Sequence, residues 1–224
     1  MVLETKKTGR RGRPENEELA VQRREDILVV ATQVFAERTF RGTDVQEIAD
    51  RVGVGKGTVY RYFASKEELF LAAVARGLGG LRGEVERVHK EVGEPLERFR
   101  QAIVTFLSYF DAHPDLVEIL IQERGEFRRH GKLTFFSWTE EEVKERRALF
   151  ESLHREGQVP QPIQDRLIDT IAEFLFGTVI SARFSGRGIS LVDRADDVLG
   201  LLLDGLRGTS GEQQDGEHRG AADR

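Results

Sequence analysis

The sequence contains no cysteine, which excludes disulfide bonds and metal sites built from thiolates. It has no apolar run long enough to span a bilayer, and its first residues lack the apolar segment of a signal peptide. A chain without cysteine suits a reducing compartment, so we expect a cytoplasmic protein with no membrane partner. It also lacks the two-residue alternation of strands, and apolar residues recur at helical spacing, which predicts an all-α fold.

The charge is unevenly distributed along the 224 residues. The formal net charge of −5 argues, taken alone, against a nucleic-acid partner. However, residues 1–66 contain 13 Lys and Arg against 10 Asp and Glu, a net of +3, whereas residues 67–224 contain 21 against 29, a net of −8. The basic charge is therefore concentrated at the N-terminal end, as a nucleic-acid-binding surface requires.

Composition and periodicity divide the chain into four predicted regions. Residues 1–16 form a basic arm and residues 209–224 a polar, Gly-rich tail, and we expect both to be disordered. The arm either contacts phosphates or a minor groove, or is a solvated tail. Between the two lie a predicted three-helix domain at 17–64 and a larger helical domain at 65–208. The helices predicted at 17–38 and beyond the three-helix domain span about 65–90, 96–112, 114–129, 132–156, 163–185 and 191–206.

The stretch 43–70 has the pattern of two short helices joined by a tight turn. Apolar residues recur at i, i+3, i+4 and i+7 from Val45, which predicts one buried face of a short helix. Gly53 follows this helix and suits the left-handed backbone conformation that ends a helix, and Gly55 begins a second helix. This arrangement is typical of a helix-turn-helix. The first helix lies across the DNA backbone, and the N-terminal residues of the second helix enter a major groove.

The residues GVGKGTVYRYFASKEELF, at positions 53–70, resemble the signature of the tetracycline-repressor (TetR) family of bacterial one-component regulators. The resemblance extends from about Arg24 to about Ala73. Gly55 departs from the pattern, because the family usually has a small hydroxyl residue at this helix cap. We therefore expect a weaker helix start and the loss of one phosphate contact. The resemblance implies DNA contacts for the matching positions and an effector pocket in the C-terminal region.

Cations and hydroxyl groups on the free faces of the two helices suit base edges and phosphates. The predicted DNA-binding residues are Thr43, Gln46, Lys56, Gly57, Thr58, Tyr60, Arg61, Tyr62 and Lys66. Lys56, Tyr60 and Gln46 are assigned to base edges. The remaining hydroxyl groups and Lys66 are assigned to phosphates, Gly57 to a close approach of the backbone, and Arg61 to either partner.

Aromatic residues are frequent in the C-terminal region, and ligand cavities between helices are lined in this way. The predicted ligand-binding residues are Phe106, Phe110, Glu123, Phe135, Trp138 and Phe174. The alternative interpretation is that these aromatic residues are ordinary core, and that the polar residues near Glu123 form an ion-paired helix face.

Residues 163–185 are apolar on nearly every side of a helix, and residues 191–206 repeat this composition. A helix that is apolar all round is buried all round. Because large exposed apolar patches are rare on monomers, we predict a homodimer formed through residues 163–206. Burial under the subunit's own helices is the alternative.

Two Glu-x-x-His pairs, Glu86 with His89 and Glu151 with His154, match the spacing of di-iron helical bundles. Both lie in strongly charged segments, and the two further inward Glu residues of such a site have no evident candidates. The hypothesis of a metal-dependent oxidoreductase also leaves the helix-turn-helix unexplained. The sequence therefore predicts no metal, no cofactor and no enzymatic activity.

The predicted function is sequence-specific binding to a palindromic operator in double-stranded DNA. The protein is expected to be a transcriptional repressor that a small apolar or amphipathic effector releases from this operator. An architectural DNA-binding protein without an effector is the remaining alternative, but it leaves the aromatic region without a role.

Overall fold

The computed structural model describes residues 14–127, 133–159, 162, 165–185 and 190–208. These residues contain helices and no strand, so the predicted all-α fold is confirmed. The chain forms two compact units, 1–76 and 77–224. No helix within the described ranges is long and apolar enough to cross a membrane. The α-helices are α1 (Pro14–Gly42), α2 (Val45–Val52), α3 (Lys56–Tyr62), α4 (Lys66–Glu91), α5 (Pro95–Ala112), α6 (Pro114–Glu126), α7 (Glu140–Arg155), α8 (Asp165–Phe184) and α9 (Ala195–Gly208).

The first unit packs α1, α2, α3 and the start of α4 around an apolar centre. Ile27, Phe35, Ile48 and Phe70 are fully buried there. The ring centroids of Phe35 and Phe70 lie 5.0 Å apart in an edge-to-face arrangement, which adds a directional attraction to the burial of apolar surface. The core therefore contains an apolar stripe of α1, whose members Ile27, Ala31, Val34 and Phe35 recur at helical spacing and are buried.

In the second unit, α5 packs against α6, α7 and α9. Its apolar residues recur at helical spacing and form one buried face: Phe99, Ile103, Phe106, Leu107 and Phe110. Pro95 occupies the first turn of this helix, where its missing N–H is not needed.

Several helix boundaries differ from the predicted ones. The helix α1 ends at Gly42 rather than at 38, and α9 begins at Ala195, after a 3₁₀ turn at Val192–Arg194, rather than at 191. The helix α1 begins at Pro14, so residues 14–16 belong to a helix rather than to the disordered arm, since Pro suits a first helical turn. The helix predicted at 132–156 is instead a 3₁₀ turn, Thr134–Phe136, followed by α7. Thr139 ends the non-helical segment through a capping box with Glu142, a motif visible in the sequence that the prediction overlooked. In addition, α6 ends at Glu126 rather than near Arg129. The remaining arm residues, 1–13, and the predicted tail at 209–224 lie outside the described residues.

The four glycines of α4 form two pairs with different surroundings. The hydroxyl of Tyr109 donates a hydrogen bond to the carbonyl oxygen of Gly77 at 2.7 Å, in the buried interior. A Cβ atom on Gly77 would collide with Leu116, and one on Gly80 would collide with the Tyr109 hydroxyl, so these two glycines permit close helix packing. A Cβ atom on Gly79 or Gly83 would meet no atom within 4 Å. The second pair therefore requires another explanation.

The backbone of α1 is interrupted at Thr39, which has φ 64° and ψ 163°. This region is accessible essentially to glycine alone and costs other residues about 1–3 kcal/mol. The carbonyl oxygen of Thr39 accepts hydrogen bonds from the Thr43 N–H at 3.1 Å and from the Thr43 hydroxyl at 2.7 Å. The strained residue thus anchors the turn that leads into α2.

We expect Thr39→Gly to raise the free energy of unfolding by about 1 kcal/mol, because glycine adopts this conformation without strain. Chemical denaturation followed by circular dichroism measures the change. Thr32→Gly is the matched control: Thr32 lies in the regular part of α1, so the same exchange should destabilise the protein. Destabilisation by both substitutions to a similar extent would contradict the strain at Thr39.

Candidate DNA interface and internal cavity

The helices α2 and α3 are joined by the turn that the sequence predicts. Asp44 caps α2 by accepting a hydrogen bond from the Gln46 N–H at 2.9 Å. Gly53 ends the helix in the left-handed conformation, with φ 76° and ψ 37°. On the inner side, Val59 and Phe63 are buried. Both helices are therefore fixed by their inner faces, which leaves their outer faces free for a partner.

A cluster of charges holds α2 against α1. The guanidinium of Arg51 donates two hydrogen bonds to the Glu37 carboxylate, at 3.0 and 2.6 Å, and one to Glu47 at 2.6 Å. The bidentate geometry adds orientation to an otherwise weak surface ion pair. The cluster therefore helps to set the orientation of α2 on α1.

Seven of the predicted DNA-binding residues have solvent-accessible side chains or backbone on α2 and α3. Tyr60 is the most exposed large apolar residue of α3, at 42%. Arg61 is exposed, and its guanidinium carbon lies 5.4 Å from the centroid of the Tyr62 ring. The seven residues are Gln46, Lys56, Gly57, Thr58, Tyr60, Arg61 and Tyr62.

The other two predicted residues, Thr43 and Lys66, support the turn before α2. Thr43 is 4% exposed, and its hydroxyl is engaged by Thr39. Lys66 donates a hydrogen bond to the carbonyl oxygen of Thr43 at 3.1 Å, and its ammonium lies 4.8 Å from the centre of the Phe40 ring. These contacts give both residues a structural role, and their assignment to phosphates stays a prediction.

An ion pair joins the beginnings of α2 and α3, and the sequence analysis did not foresee it. The Lys56 ammonium lies 2.7 Å from a carboxylate oxygen of Asp44. The Gln46 N–H and then Lys56 lower the pKa of Asp44, and the hydrogen bond to Asp44 raises the pKa of Lys56. Both groups are therefore charged at neutral pH. Asp44 is also the cap of α2, and its distance from Lys56 depends on the fold.

Gly55 caps α3 without a side-chain hydrogen bond, as its lack of a side chain dictates. A Cβ atom there would meet open space, so nothing in the surrounding packing requires glycine. The helix start therefore lacks the hydroxyl cap that a Ser or Thr would provide.

The second unit contains a cavity of about 580 Å³ between α4, α5, α7 and α8. This volume lies within the range of small-molecule sites. Apolar side chains cover most of its wall, and charged residues from α4 and α7 complete it. The apolar lining includes Leu78, Leu81, Val85, Phe99, Ile103, Phe106, Phe135, Trp138, Leu149, Phe150, Ile168, Ile171 and Leu175.

Three of the six predicted ligand-binding residues line this cavity: Phe106, Phe135 and Trp138. The other three lie elsewhere. Phe110 is buried with its ring centroid 5.0 Å from that of Phe106. Glu123 is buried and accepts a hydrogen bond from the Thr134 N–H at 3.0 Å, and Phe174 lies partly exposed on α8.

The structure adds two arginines to the cavity wall that the sequence analysis did not predict. Arg82 pairs with Glu142 at 3.0 Å and donates a hydrogen bond to the carbonyl oxygen of Ser137 at 2.7 Å. Arg146 is half-buried, with its guanidinium carbon 4.0 Å from the Trp138 ring centroid. Burial lowers the pKa of Arg146. Both arginines occur in charged segments, where sequence alone does not separate a cavity-facing cation from a solvated one.

Within the described ranges, no group of three or more His, Asp or Glu side chains is placed to hold a metal ion. Of the two Glu-x-x-His pairs, Glu86 is paired with Lys90. In the second pair, the Nδ1 atom of His154 lies 3.1 Å from the carbonyl oxygen of Val159.

Residues 27–73 match the family described as bacterial regulatory proteins, tetR family. The chain is 31% identical over 188 residues to the HTH-type transcriptional repressor KstR2 of Mycobacterium tuberculosis, which covers 82% of this chain and 92% of the relative. The fold is similar to that of the fatty acid degradation regulator FadR from Bacillus halodurans, with a TM-score of 0.70, 22% identity and coverage of 90% and 99%. It is also similar to FadR from Bacillus subtilis in complex with stearoyl-CoA, with a TM-score of 0.61, 20% identity and coverage of 81% and 98%.

A helix-turn-helix unit followed by a helical unit with an internal cavity defines a ligand-responsive class of DNA-binding transcriptional regulators. The chain belongs to the TetR family of bacterial regulatory proteins.

The ion pair with Lys56 places a negative charge beside the predicted DNA-contacting residues. We expect Asp44→Asn to tighten binding to any duplex by about 1 kcal/mol, roughly fivefold, since one carboxylate no longer repels the phosphates or occupies Lys56. Asparagine retains the helix cap. Fluorescence anisotropy measures the affinity for a selected operator and a random duplex at one salt concentration.

Asp26→Asn on α1 is the control, because it removes the same charge from a residue that accepts a hydrogen bond from Gln22 rather than from the α3 lysine. Equal effects of the two substitutions would show that Asp44 acts only through the net charge of the protein and not through its ion pair with Lys56.

Proposed function

We propose that the protein is a repressor that binds a palindromic operator through α2 and α3 and leaves it when an effector occupies the cavity of the second unit. The observation that carries this proposal is the pair of short helices with a fixed inner face and a polar outer face. Accessible groups at the beginning of α3 match what insertion into a major groove requires. The 31% identity to a protein named a transcriptional repressor supports the direction of regulation.

In this proposal Lys56, Tyr60 and Gln46 contact base edges. Lys56 and Tyr60 are four residues apart, so they lie on the same side of α3. Thr58, Arg61 and Tyr62 contact phosphates or, for Arg61, a base. The exposed backbone at Gly57 allows the helix to approach the DNA closely.

Lys56→Ala and Tyr60→Ala test the assignment of these contacts. Lys56→Ala should weaken operator binding by about 1–3 kcal/mol and relax sequence preference, because a base contact is lost as well as a charge. Tyr60→Ala should also weaken operator binding. Anisotropy titrations against the operator and single-base variants measure both properties.

Lys144→Ala, on exposed α7 of the second unit, removes an equal charge and should leave the sequence preference unchanged. Wild-type operator affinity in both α3 variants would refute the interface.

The proposed effector is a small apolar or amphipathic molecule, since the cavity wall is mostly apolar with a few charged groups. One structural neighbour was solved in complex with stearoyl-CoA, which is amphipathic. Effector binding favours a conformer with weaker DNA affinity, and by linkage the DNA weakens effector binding by the same factor.

We also propose a homodimer formed through α8 and α9. Ile168, Ile171, Leu175 and Val179 bury one face of α8 within the second unit. Further large apolar side chains remain exposed on α8, α9 and the segment between them: Leu167, Phe174, Phe184, Val192 and Leu201. An isologous four-helix interface would cover them, and a two-fold axis would set two copies of α3 about 34 Å apart, one helical turn of DNA. Residues 163–164 and 186–189 of the predicted interface lie outside the described ranges.

Leu201→Glu tests the dimer without disturbing the protomer's core, because the Leu201 side chain is 65% exposed. The substitution should yield folded monomers at micromolar concentration and abolish tight operator binding, since an unpaired carboxylate would be buried at the interface. Sedimentation velocity and circular dichroism measure assembly and folding.

Leu19→Glu is the matched control, since Leu19 is 64% exposed on α1 and this variant should remain dimeric. A wild-type monomer that binds its operator tightly would refute the interface.

A further inference from the structure

Arg146 is a half-buried cation in the cavity wall that makes no ion pair within the described part of the chain. Its Nε atom lies 3.4 Å from the backbone oxygen of Glu142, a long and weak hydrogen bond. Its closest aromatic neighbour is Trp138, over whose ring the guanidinium lies. Removing a guanidinium from water without a carboxylate partner is unfavourable. A ligand with a negative charge beside Arg146 would offset this cost.

Neither of the two carboxylates that act on Arg146 is paired with it. Glu142 accepts from Arg82 through one oxygen, at 3.0 Å, and from the Thr139 N–H through the other, at 2.6 Å. Asp169 acts on Arg146 only as a charge at longer range. The two arginines of the wall therefore differ, because the protein neutralises Arg82 and leaves Arg146 available.

The wall contains further titratable residues on α4 and α7. Glu86 and Glu141 are exposed and pair with Lys90 and Lys144 respectively. Glu145 is half-buried and interacts electrostatically with His89, whose pKa is lowered mainly by burial. His89 is therefore largely uncharged at neutral pH. These carboxylates repel an acid group, and the repulsion is best offset where the acid group reaches Arg146.

The second pair of glycines in α4 lies at the entrance of the cavity, where its wall meets solvent. Gly79 and Gly83 are exposed and line the cavity, and neither contacts a packing partner where a Cβ atom would lie. They differ in this from Gly77 and Gly80, where a Cβ atom would collide with Leu116 and with the Tyr109 hydroxyl. The absence of side chains at 79 and 83 keeps the α4 side of the entrance open.

We propose that the cavity binds an organic acid with an apolar body, whose acid group pairs with Arg146 beside Trp138 and whose body enters past Gly79 and Gly83 to the aromatic interior. The inference deepens the proposed function and rests on the cavity being the effector site. The acid group is the shared chemistry of a free carboxylic acid and of the phosphates of an acyl thioester.

Trp138 is the only tryptophan of the chain, so its fluorescence reports on this site alone. The purified full-length protein is titrated with decanoate, 1-decanol, decylammonium and decanoyl-CoA, and calorimetry provides a second readout. Decanoate should bind at least about tenfold more tightly than the alcohol or the amine, the factor expected for a charge-assisted hydrogen bond. A thioester preference that depends on Arg146 would assign the acid group to the coenzyme phosphates.

Arg146→Gln should remove the preference for decanoate and leave the binding of decanol unchanged. Arg147→Gln, the adjacent residue of α7, is the matched control, because Arg147 pairs with Asp165 and does not line the cavity. Gly83→Leu should weaken all probes that bind the wild type, whereas Gly125→Leu, on α6 where a Cβ atom also meets open space, should not. Circular dichroism shows whether each variant is folded.

The proposal is overturned if no probe binds, if decanoate and decanol bind equally, or if the preference survives in Arg146→Gln. A failure of the proposed function has a different signature. Decanoate would then bind with the expected preference, while operator affinity stayed the same with and without it.

Discussion

The hydrogen bond from the Tyr109 hydroxyl to the Gly77 carbonyl oxygen determines how the second unit is built. It is buried, and it forms only because glycine at 77 and 80 allows the side chains of Tyr109 and Leu116 to approach the backbone of α4. This contact fixes the rotation of α4 about its own axis. With that rotation set, Leu78, Leu81 and Val85 face the cavity. The packing of two glycines therefore helps to decide where the cavity lies.

The DNA-binding unit depends on caps and turns as well as on the packing of its inner faces. Its α2 and α3 have eight and seven residues, too short to be stable in isolation. Asp44, Gly53 and the strained Thr39 fix where they begin and end. The ion pair of Asp44 with Lys56 then joins the two N-terminal ends at the surface proposed to face the phosphates. One carboxylate thus caps a helix and also restrains a cation proposed to contact DNA.

Much of the fold follows from local sequence patterns. The stop at Gly53, the start of α5 beside Pro95 and the inward face of α5 follow from rules that involve only residues near in sequence. The prediction is wrong where several local signals compete. Between 132 and 156 the apolar spacing suggested one helix, but the capping box at Thr139 separates a short turn from α7. For α8, the composition indicated burial on every side, whereas one face is buried within the unit and another remains uncovered.

The sequence by itself determined the helical class, the two short helices with their turn, and the outer face on which Lys56 and Tyr60 lie, because helical periodicity and glycine stereochemistry act over a few residues. The tertiary structure decided which aromatic residues line the cavity. It places Phe106, Phe135 and Trp138 on the wall and leaves Phe110 and Phe174 off it. It also decided that Arg82 has a carboxylate partner, whereas Arg146 has none among the residues that the structure describes. These outcomes depend on which helices meet and at what rotation, and that information lies in contacts between residues distant in sequence.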